Sequence, residues 1–233
     1  FNTPAATYID YAMNPTMKRL LAVLLVCLLM AASAAAQENR WAQVFDTTGD
    51  EGMFSIRFLW MGPQVPEVDD KPGDCMILTS PEGKIMVLDS GHPLSFSYVN
   101  DALDAMGITK IDYLVASHPH IDHIGGFAAL MDRYEIGTVC TSELAYTSSS
   151  YYRAYMDAIK EKGIEHVILR DGDTMRFGES VSVNVYNPTE EAALVPEEQK
   201  NKTEFINNQG HKARFDHRGR LRGHQGGFLR GFG

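Results

Sequence analysis

The chain has 233 residues, of which 44% are hydrophobic and 22% are charged, and its formal net charge is −9. This composition is ordinary for a globular protein, and the length suffices for one sizeable core domain with additional segments. The acidic balance argues against a general binder of nucleic acid or of anionic membranes, although a local basic patch is compatible with it.

The N-terminal region is typical of a secretion signal at residues 17–36. Met17-Lys18-Arg19 supplies a start and a positive segment, residues 20–30 are almost purely apolar, and Ala34-Ala35-Ala36 fits a small-x-small cleavage pattern. We therefore expect a secreted or extracytoplasmic protein that begins at Gln37 and keeps no stable membrane span. An uncleaved N-terminal membrane anchor is the alternative.

Composition divides the remaining chain into four segments. Residues 1–16 precede the start methionine and are interpreted as upstream read-through or an extended gene prediction. Residues 37–52 form a polar lead-in, and residues 53–210 carry the periodic pattern of a folded domain. Residues 211–233 form a basic tail rich in glycine, histidine and arginine, which shows no such period.

Within residues 53–210, short runs of β-forming residues alternate with amphipathic stretches. The predicted strands are 54–61, 75–79, 85–88, 111–116, 138–140, 166–169 and 181–186. The predicted helices are 97–106, 127–133 and 150–162, with Gly107 and Gly163 as stops. A turn at Pro81-Glu82-Gly83-Lys84 predicts that the second and third strands form a hairpin. Strands that alternate with helices indicate an α/β layered domain.

The three cysteines do not form a metal or disulfide pattern. Cys27 lies in the apolar N-terminal run, which leaves Cys75 and Cys140 in the mature chain without CxxC spacing. We predict that both are buried core thiols.

The strand at 111–116 leads directly into the sequence His118-Pro119-His120-Ile121-Asp122-His123. Three imidazoles and a carboxylate within six residues would be costly to desolvate without a metal ion or other partners. The motif therefore predicts a metal site made by these four side chains. The isolated His92 and His166 are interpreted as ordinary polar residues.

The motif and its flanks resemble the metallo-β-lactamase superfamily over about residues 54–208. This resemblance implies an αββα sandwich with metals at one edge of the two sheets, here incomplete at its C-terminus. Four segments are similar to the extracytoplasmic domain of ComEC-type competence (DNA-uptake) proteins and its secreted free-standing relatives, namely 58–62, 73–78, 84–91 and 117–126. Residues 63–72 depart from the tight Gly-x-Gly-Asp turn of that branch.

The resemblance also implies the roles of individual residues. His118 and His120 would ligate a first metal, and Asp122 and His123 a second, while Asp122 would orient or deprotonate the attacking water. Asp89 would hold the histidine loop, although it could instead be a turn residue that ends its strand. The implied cofactors are two divalent ions, with Zn²⁺ favoured and Mn²⁺ as the alternative, which would polarise a phosphoryl or carbonyl oxygen.

The region after Asn208 departs from the family. Relatives continue with an apolar strand, a Gly-Asp pair whose carboxylate bridges both metals, and a later His-His-Gly-Ser-type segment, none of which follows here. Residues 211–233 instead hold six Lys and Arg residues against one acid. We interpret this tail as a slipped reading frame, with a native basic tail as the alternative, and we expect the chain as written to fold poorly and hydrolyse little.

Three functions are compatible with these features. The first is a secreted metal-dependent hydrolase, phosphodiesterase-like or nuclease-like, that acts on a small-molecule or nucleic-acid phosphodiester. The second is a non-catalytic or degenerate metal-binding module of a DNA-uptake or envelope system. The third is a nucleic-acid-binding protein that acts through residues 211–233.

Overall fold

The computed structural model describes residues 15–62, 71–188, 213–217 and 221–222. The chain divides into two units, residues 1–44 and residues 45–233. The first unit contains a helix, α1 (Pro15–Phe45), up to Val44. Apolar side chains of this helix between Met17 and Met30 are exposed. In the part of the chain that the structure describes, no helix has the length and hydropathy of a membrane span.

The second unit is a mixed α/β domain. Its described strands are β1 (Phe54–Phe58), β2 (Met76–Thr79), β3 (Ile85–Leu88), β4 (Lys110–Val115), β5 (Glu135–Thr141), β6 (Glu165–Ile168), β7 (Thr174–Phe177), β8 (Val181–Val185), β9 (Ala213–His217) and β10 (Leu221–Arg222). Its helices are α2 (Phe96–Ala105), α3 (Ile121–Ile124), α4 (Phe127–Arg133) and α5 (Ser150–Lys162). The helices expected at 97–106, 127–133 and 150–162 are therefore confirmed. Gly163 ends α5 in the left-handed conformation, with φ of 63°.

The strands form two sheets. Among the described residues, the first sheet has the order β10-β1-β2-β3-β4-β5-β6 and the second the order β7-β8-β9. The expected hairpin is confirmed, since β2 and β3 pair antiparallel with Met76 opposite Leu88. From β3 to β6 the strands are parallel. Because parallel strands end at the same edge, the loops after β3 and β4 meet there.

Strand alternation separates two apolar layers. Successive side chains of a strand point to opposite faces, so Ile77 joins the layer shared with the helices and Leu78 the layer shared with the second sheet. In the first layer, Val87 and Leu114 lie with Phe127 and other buried residues of the helices. This arrangement agrees with the expected sandwich of helices and sheets.

Some elements differ from the sequence expectation. The strand expected at 54–61 ends at Phe58, and β7 lies between the strands expected at 166–169 and 181–186, where no element was predicted. The tail shows no period in its sequence, yet β9 pairs antiparallel with β8 and β10 pairs parallel with β1. Phe215 of β9 packs against Phe54 with ring centroids 5.7 Å apart, so a tertiary contact holds this segment as a strand.

Candidate metal centre

The candidate site lies where β3 and β4 end. Asp89 follows β3 directly, and Ser117 and the histidine motif follow β4. The motif then enters the short helix α3, which begins after His120. Sequence-distant residues are thus brought to one edge of the first sheet.

Asp89 is the anchor of this cluster. Its side chain is buried, and its Oδ1 accepts a hydrogen bond from the Ser117 amide at 2.7 Å. Its Oδ2 accepts from Ser117 Oγ at 2.6 Å and from His123 Nδ1 at 2.8 Å. Among the residues described, Asp89 is the one non-glycine residue with positive φ, at 59°. These hydrogen bonds outweigh the cost of that backbone conformation, which is about 1–3 kcal/mol.

The same contacts decide which imidazole nitrogens face outward. Because Asp89 accepts from His123 Nδ1, the lone pair of His123 lies on Nε2. Ser117 Oγ uses its proton on Asp89 and therefore accepts from His118 Nδ1 at 3.0 Å. The lone pair of His118 consequently also lies on Nε2. Two imidazoles are held in the tautomer that suits metal ligation.

The four motif side chains form one cluster. The rings of His118 and His123 have centroids 3.9 Å apart, and those of His118 and His120 are 4.8 Å apart. His123 Nε2 lies 3.7 Å from Asp122 Oδ2. Tyr146 borders His120 with a ring distance of 5.7 Å. The structure therefore brings together all four residues that the sequence proposed as ligands, and their role as ligands stays a prediction.

The electrostatics of the two anchored histidines differ. Burial, together with the nearby His123, lowers the pKa of His118 to about 3. Burial also opposes protonation of His123, but the hydrogen bond and the charge of Asp89 outweigh it and raise its pKa. His118 is thus neutral at pH 7, as a metal ligand must be.

Backbone contacts hold the motif loop against its neighbours. Ser90 donates from its amide and its Oγ to the carbonyl of His123, at 2.7 and 3.1 Å. Gly73 has φ of 82°, and a Cβ there would lie 1.7 Å from the carbonyl oxygen of Asp122. The roles of Ser90, Ser117 and Gly73 were missed by sequence reasoning. The signal available was their position beside Asp89, Asp74 and the motif.

The two isolated histidines lie outside this cluster. His92 is buried, and its Nδ1 accepts from the amide of Leu94 at the start of a 3₁₀ turn. His166 contacts Thr141 Oγ1 at 2.9 Å, and burial lowers its pKa. Both thus make local polar contacts. Cys75 and Cys140 are buried free thiols, as expected.

The donor atoms of the cluster are of the types that bind a divalent metal, but among the described residues they are not arranged around one ion position. Imidazoles anchored by a carboxylate, next to a second carboxylate, are the ligand types that Zn²⁺ and Mn²⁺ accept. Among the described residues, however, no group of three or more His, Cys, Asp or Glu side chains is arranged to hold an ion. Ring rotation about the side-chain bonds, or a further ligand, is needed to complete such a group.

Comparisons with known proteins identify the fold family. Residues 68–204, more than half of the chain, match the model of the metallo-beta-lactamase superfamily. No curated protein sequence matches the chain significantly.

Several solved structures similar to this chain are described as metallo-β-lactamases or as members of that superfamily. The metallo-β-lactamase FEZ-1 of Legionella gormanii is 12% identical, covering 58% of this chain and 51% of its own, with a TM-score of 0.41. An archaeal metallo-β-lactamase superfamily protein of Sulfolobus tokodaii is 20% identical, covering 57% and 55%, with a TM-score of 0.38. A Cronobacter sakazakii metallo-β-lactamase is 19% identical, covering 50% and 44%, with a TM-score of 0.36. The chain spans about half the length of these structures.

Proposed function

Because the chain belongs to the metallo-β-lactamase superfamily, which implies a metal-dependent hydrolase, we propose that it is a secreted hydrolase of phosphodiesters. The hydrolase assignment rests on the hydrogen bonds that hold the Nδ1 atoms of His118 and His123, through Ser117 and Asp89. These bonds leave the Nε2 atoms of both histidines available as ligands, and that of His123 lies beside Asp122. The ComEC-type resemblance supports the phosphodiester, and the signal-like residues 17–36 support export.

The superfamily binds divalent metals, and this chain's residues would divide them between two positions. His118 and His120 would hold one ion, and Asp122 and His123 the other. We propose Zn²⁺ as the resident ion and Mn²⁺ as the alternative. When bound, such ions polarise the scissile phosphoryl oxygen and make water acidic enough to attack at neutral pH.

The chain's own side chains would supply positioning and proton transfer. Asp122 is partly exposed, so its carboxylate can orient the attacking water and accept its proton. Asp89 and Ser117 would keep His118 and His123 in their tautomers throughout the reaction. They touch no substrate and are positioning residues.

An exposed aromatic pair supports a nucleotide-containing substrate. Trp60 and Tyr98 pack edge to face with centroids 5.4 Å apart, and both remain exposed. Trp60 follows the end of β1, at the edge where Asp89 follows β3, since Phe58 pairs with Met76 and Met76 with Leu88. Aromatic faces of this kind stack on bases.

A substrate panel tests the proposal. The protein is loaded with Zn²⁺ or Mn²⁺ and assayed on bis(p-nitrophenyl) phosphate, a cephalosporin reporter and a lactone. We expect metal-dependent turnover of the phosphodiester that is lost in Asp122→Asn and kept in the exposed control Asp132→Asn. Turnover of only the cephalosporin or the lactone would contradict the phosphodiester assignment.

The alternative is a degenerate metal-binding module of an uptake or envelope system. The absence of a closed three-donor group among the described residues favours it. Metal analysis of the purified protein distinguishes the two functions. Two ions per chain with turnover support the hydrolase, whereas a single weakly bound ion without turnover supports the module.

We further propose that residues 211–233 are the product of a slipped frame rather than a native nucleic-acid-binding tail. Support comes from their basic composition and from the lack of any strand or helix period in them. Sequencing the locus downstream of the Asn208 codon tests this, and an unbroken frame with the same tail would contradict it. A native DNA-binding tail would instead give affinity that falls steeply with salt and disappears when the tail is removed.

A further inference from the structure

The loop that follows β5 brings an aromatic ring to the histidine cluster. β5 runs parallel to β4, with Cys140 opposite Val115, so this loop lies at the edge where the motif follows β4. Tyr146 lies in the loop. Its ring and the ring of His120 have centroids 5.7 Å apart and an interplanar angle of 68°. Tyr146 therefore contacts a proposed ligand from an element outside the motif.

The backbone of Tyr146 is anchored on both sides. On one side, Leu144 is buried, and its amide donates a hydrogen bond to Ser142 Oγ at 3.3 Å. On the other side, the amide of Ser149 donates to the Tyr146 carbonyl at 2.9 Å. Ser149 is also the N-cap of α5, since its Oγ accepts from the amide of Tyr152. The turn that carries the Tyr146 ring is thus held at both ends.

The imidazole of His120 makes two edge-to-face contacts. One is with Tyr146, and the other is with His118, at a centroid distance of 4.8 Å and an interplanar angle of 78°. Both distances lie in the range of about 4.5–7 Å in which aromatic rings attract each other edge to face. His120 is the N-cap of α3, but its side chain does not cap that helix by a hydrogen bond. The ring contacts therefore restrict the plane of this imidazole.

The restriction matters because the terminal side-chain torsion of histidine is soft. That torsion has a broad distribution in proteins, so the ring plane changes easily unless a neighbour restricts it. Hydrogen bonds through Ser117 and Asp89 orient His118 and His123. Tyr146 restricts the third imidazole of the motif by a ring contact. A ligand whose orientation is already restricted loses less freedom when it binds a metal.

We propose that Tyr146 is a positioning residue, whose ring holds the His120 imidazole in an orientation that binds the metal. The side chain acts through its aromatic ring, because the contact joins two rings. The proposal rests on the proposed metal-dependent function, in which His120 is a ligand. It predicts that the loop after β5 contributes to metal affinity although it supplies none of the proposed ligands.

Zinc affinity in matched variants tests the proposal. The full chain is titrated with Zn²⁺ in competition with a chromophoric chelator, as wild type, Tyr146→Ala and Tyr146→Phe. Tyr146→Ala should bind Zn²⁺ about 3- to 10-fold more weakly, since one aromatic contact is lost, and Tyr146→Phe should keep the wild-type affinity. The control Tyr151→Ala removes an exposed tyrosine of α5 and should also bind like the wild type. Circular dichroism checks that each variant is folded.

Two spectroscopic measurements distinguish positioning from a general effect on stability. In the metal-free protein, the ring-proton resonance of His120, identified by its loss in His120→Gln, should shift in Tyr146→Ala because the neighbouring ring current is removed. It should keep its position in Tyr151→Ala. In the Co²⁺-loaded protein, the visible absorption bands should change in Tyr146→Ala and be retained in Tyr146→Phe, because they depend on the orientation of the ligands.

The outcomes separate this proposal from the proposed function. If the wild-type chain binds no Zn²⁺, both are contradicted. If it binds Zn²⁺ and Tyr146→Ala shows the wild-type affinity or an unshifted His120 resonance, the positioning role alone is overturned. Equal weakening in Tyr146→Phe would assign the effect to the hydroxyl and would also overturn it. If Tyr146→Ala does not fold, Tyr146→Leu, which keeps apolar bulk without an aromatic ring, should show the same loss of affinity, and wild-type affinity in that variant would overturn the proposal.

Discussion

At the residue scale, one carboxylate organises the candidate site. Asp89 accepts three hydrogen bonds, from the Ser117 amide, from Ser117 Oγ and from His123 Nδ1. Ser117 Oγ in turn accepts a hydrogen bond from His118 Nδ1 and so fixes the orientation of that ring. A buried acceptor of this kind fixes the orientation of two imidazoles at once. Its replacement should therefore weaken metal binding, although Asp89 is not itself one of the proposed ligands.

Replacing Asp89 with Asn should weaken Zn²⁺ binding about 10- to 100-fold. The amide nitrogen cannot accept, so either Ser117 or His123 loses its partner. Competition with a chromophoric chelator measures the affinity. Asp104→Asn, an exposed carboxylate on α2, serves as control and should bind Zn²⁺ like the wild type. Equal affinity of Asp89→Asn and the control would contradict the anchoring role.

The lowered pKa of His118 should make the metal-free protein acid-sensitive. Its folded pKa is about 3 and its ordinary value is 6.5. Between these values the unfolded chain takes up a proton that the folded chain does not, so stability falls as pH drops below about 6.5. His123, whose pKa is raised, contributes stability that is present below 6.5 and lost as pH rises through its folded pKa.

Urea unfolding in chelator at pH 7 and pH 4.5 measures this dependence. The wild type should lose about 1–3 kcal/mol of unfolding free energy through His118 after allowance for partial solvent screening. His118→Gln should show a smaller loss over the same interval. An identical loss in the two proteins would contradict the assignment to His118.

At the element scale, close backbone approach positions the motif loop. The amide of Asp74 donates to the Asp122 carbonyl at 3.3 Å, and the amide of Gly91 donates to the Asp74 carbonyl at 3.0 Å. Gly73 stands beside this contact without room for a side chain. Gly83, in the β2–β3 turn, has a similar φ of 80° but open space around it. Comparing alanine substitutions at these two positions therefore separates the cost of the left-handed backbone from the steric displacement of the Asp122 carbonyl.

Replacing Gly73 with Ala should displace the Asp122 backbone, lower Zn²⁺ affinity and destabilise the fold by about 2 kcal/mol or more. Gly83→Ala meets only the cost of a left-handed residue, about 1 kcal/mol, and should keep wild-type affinity. Thermal unfolding and metal titration of both variants measure the difference. Similar metal affinities in the two variants would show that the contact at Gly73 does not position the motif.

At the scale of the whole molecule, the two sheets depend on a shared apolar layer. Phe177 is fully buried, and it packs edge to face against Phe54 and Tyr113 with centroids 6.3 and 6.1 Å apart. Val181 and Val183 of β8 lie in the same layer. This layer is what joins β7, β8 and β9 to the sheet that carries the site.

Replacing Phe177 with Ala should lower the unfolding free energy by about 3–5 kcal/mol, because it leaves a cavity between the sheets. Since whole domains have only about 5–15 kcal/mol, this loss should be visible as partial unfolding at 37 °C. Phe58→Ala, which removes a largely exposed ring, should cost less than about 1 kcal/mol. Urea denaturation measures both, and equal losses would contradict the joined-sheet arrangement.

The sequence by itself determined the features that depend on near neighbours. The hairpin of β2 and β3, the helices α2, α4 and α5 and the stop at Gly163 follow from local period and turn chemistry. The motif from His118 to His123 also identified its own superfamily, because its donors are adjacent in the chain. The individual roles of these donors, and the position of Asp89 as their anchor, needed a family resemblance.

Tertiary structure alone decided the features that depend on distant residues. The hydrogen bonds of Asp89 to Ser117 cross 28 positions, and the pairing of β8 with β9 joins Val183 to Phe215. The buried pair of Asp50 and Arg57 likewise has no local pattern. A periodic sequence pattern shows which face of an element is apolar, but it does not show which other element packs against that face. Tertiary packing determines that pairing.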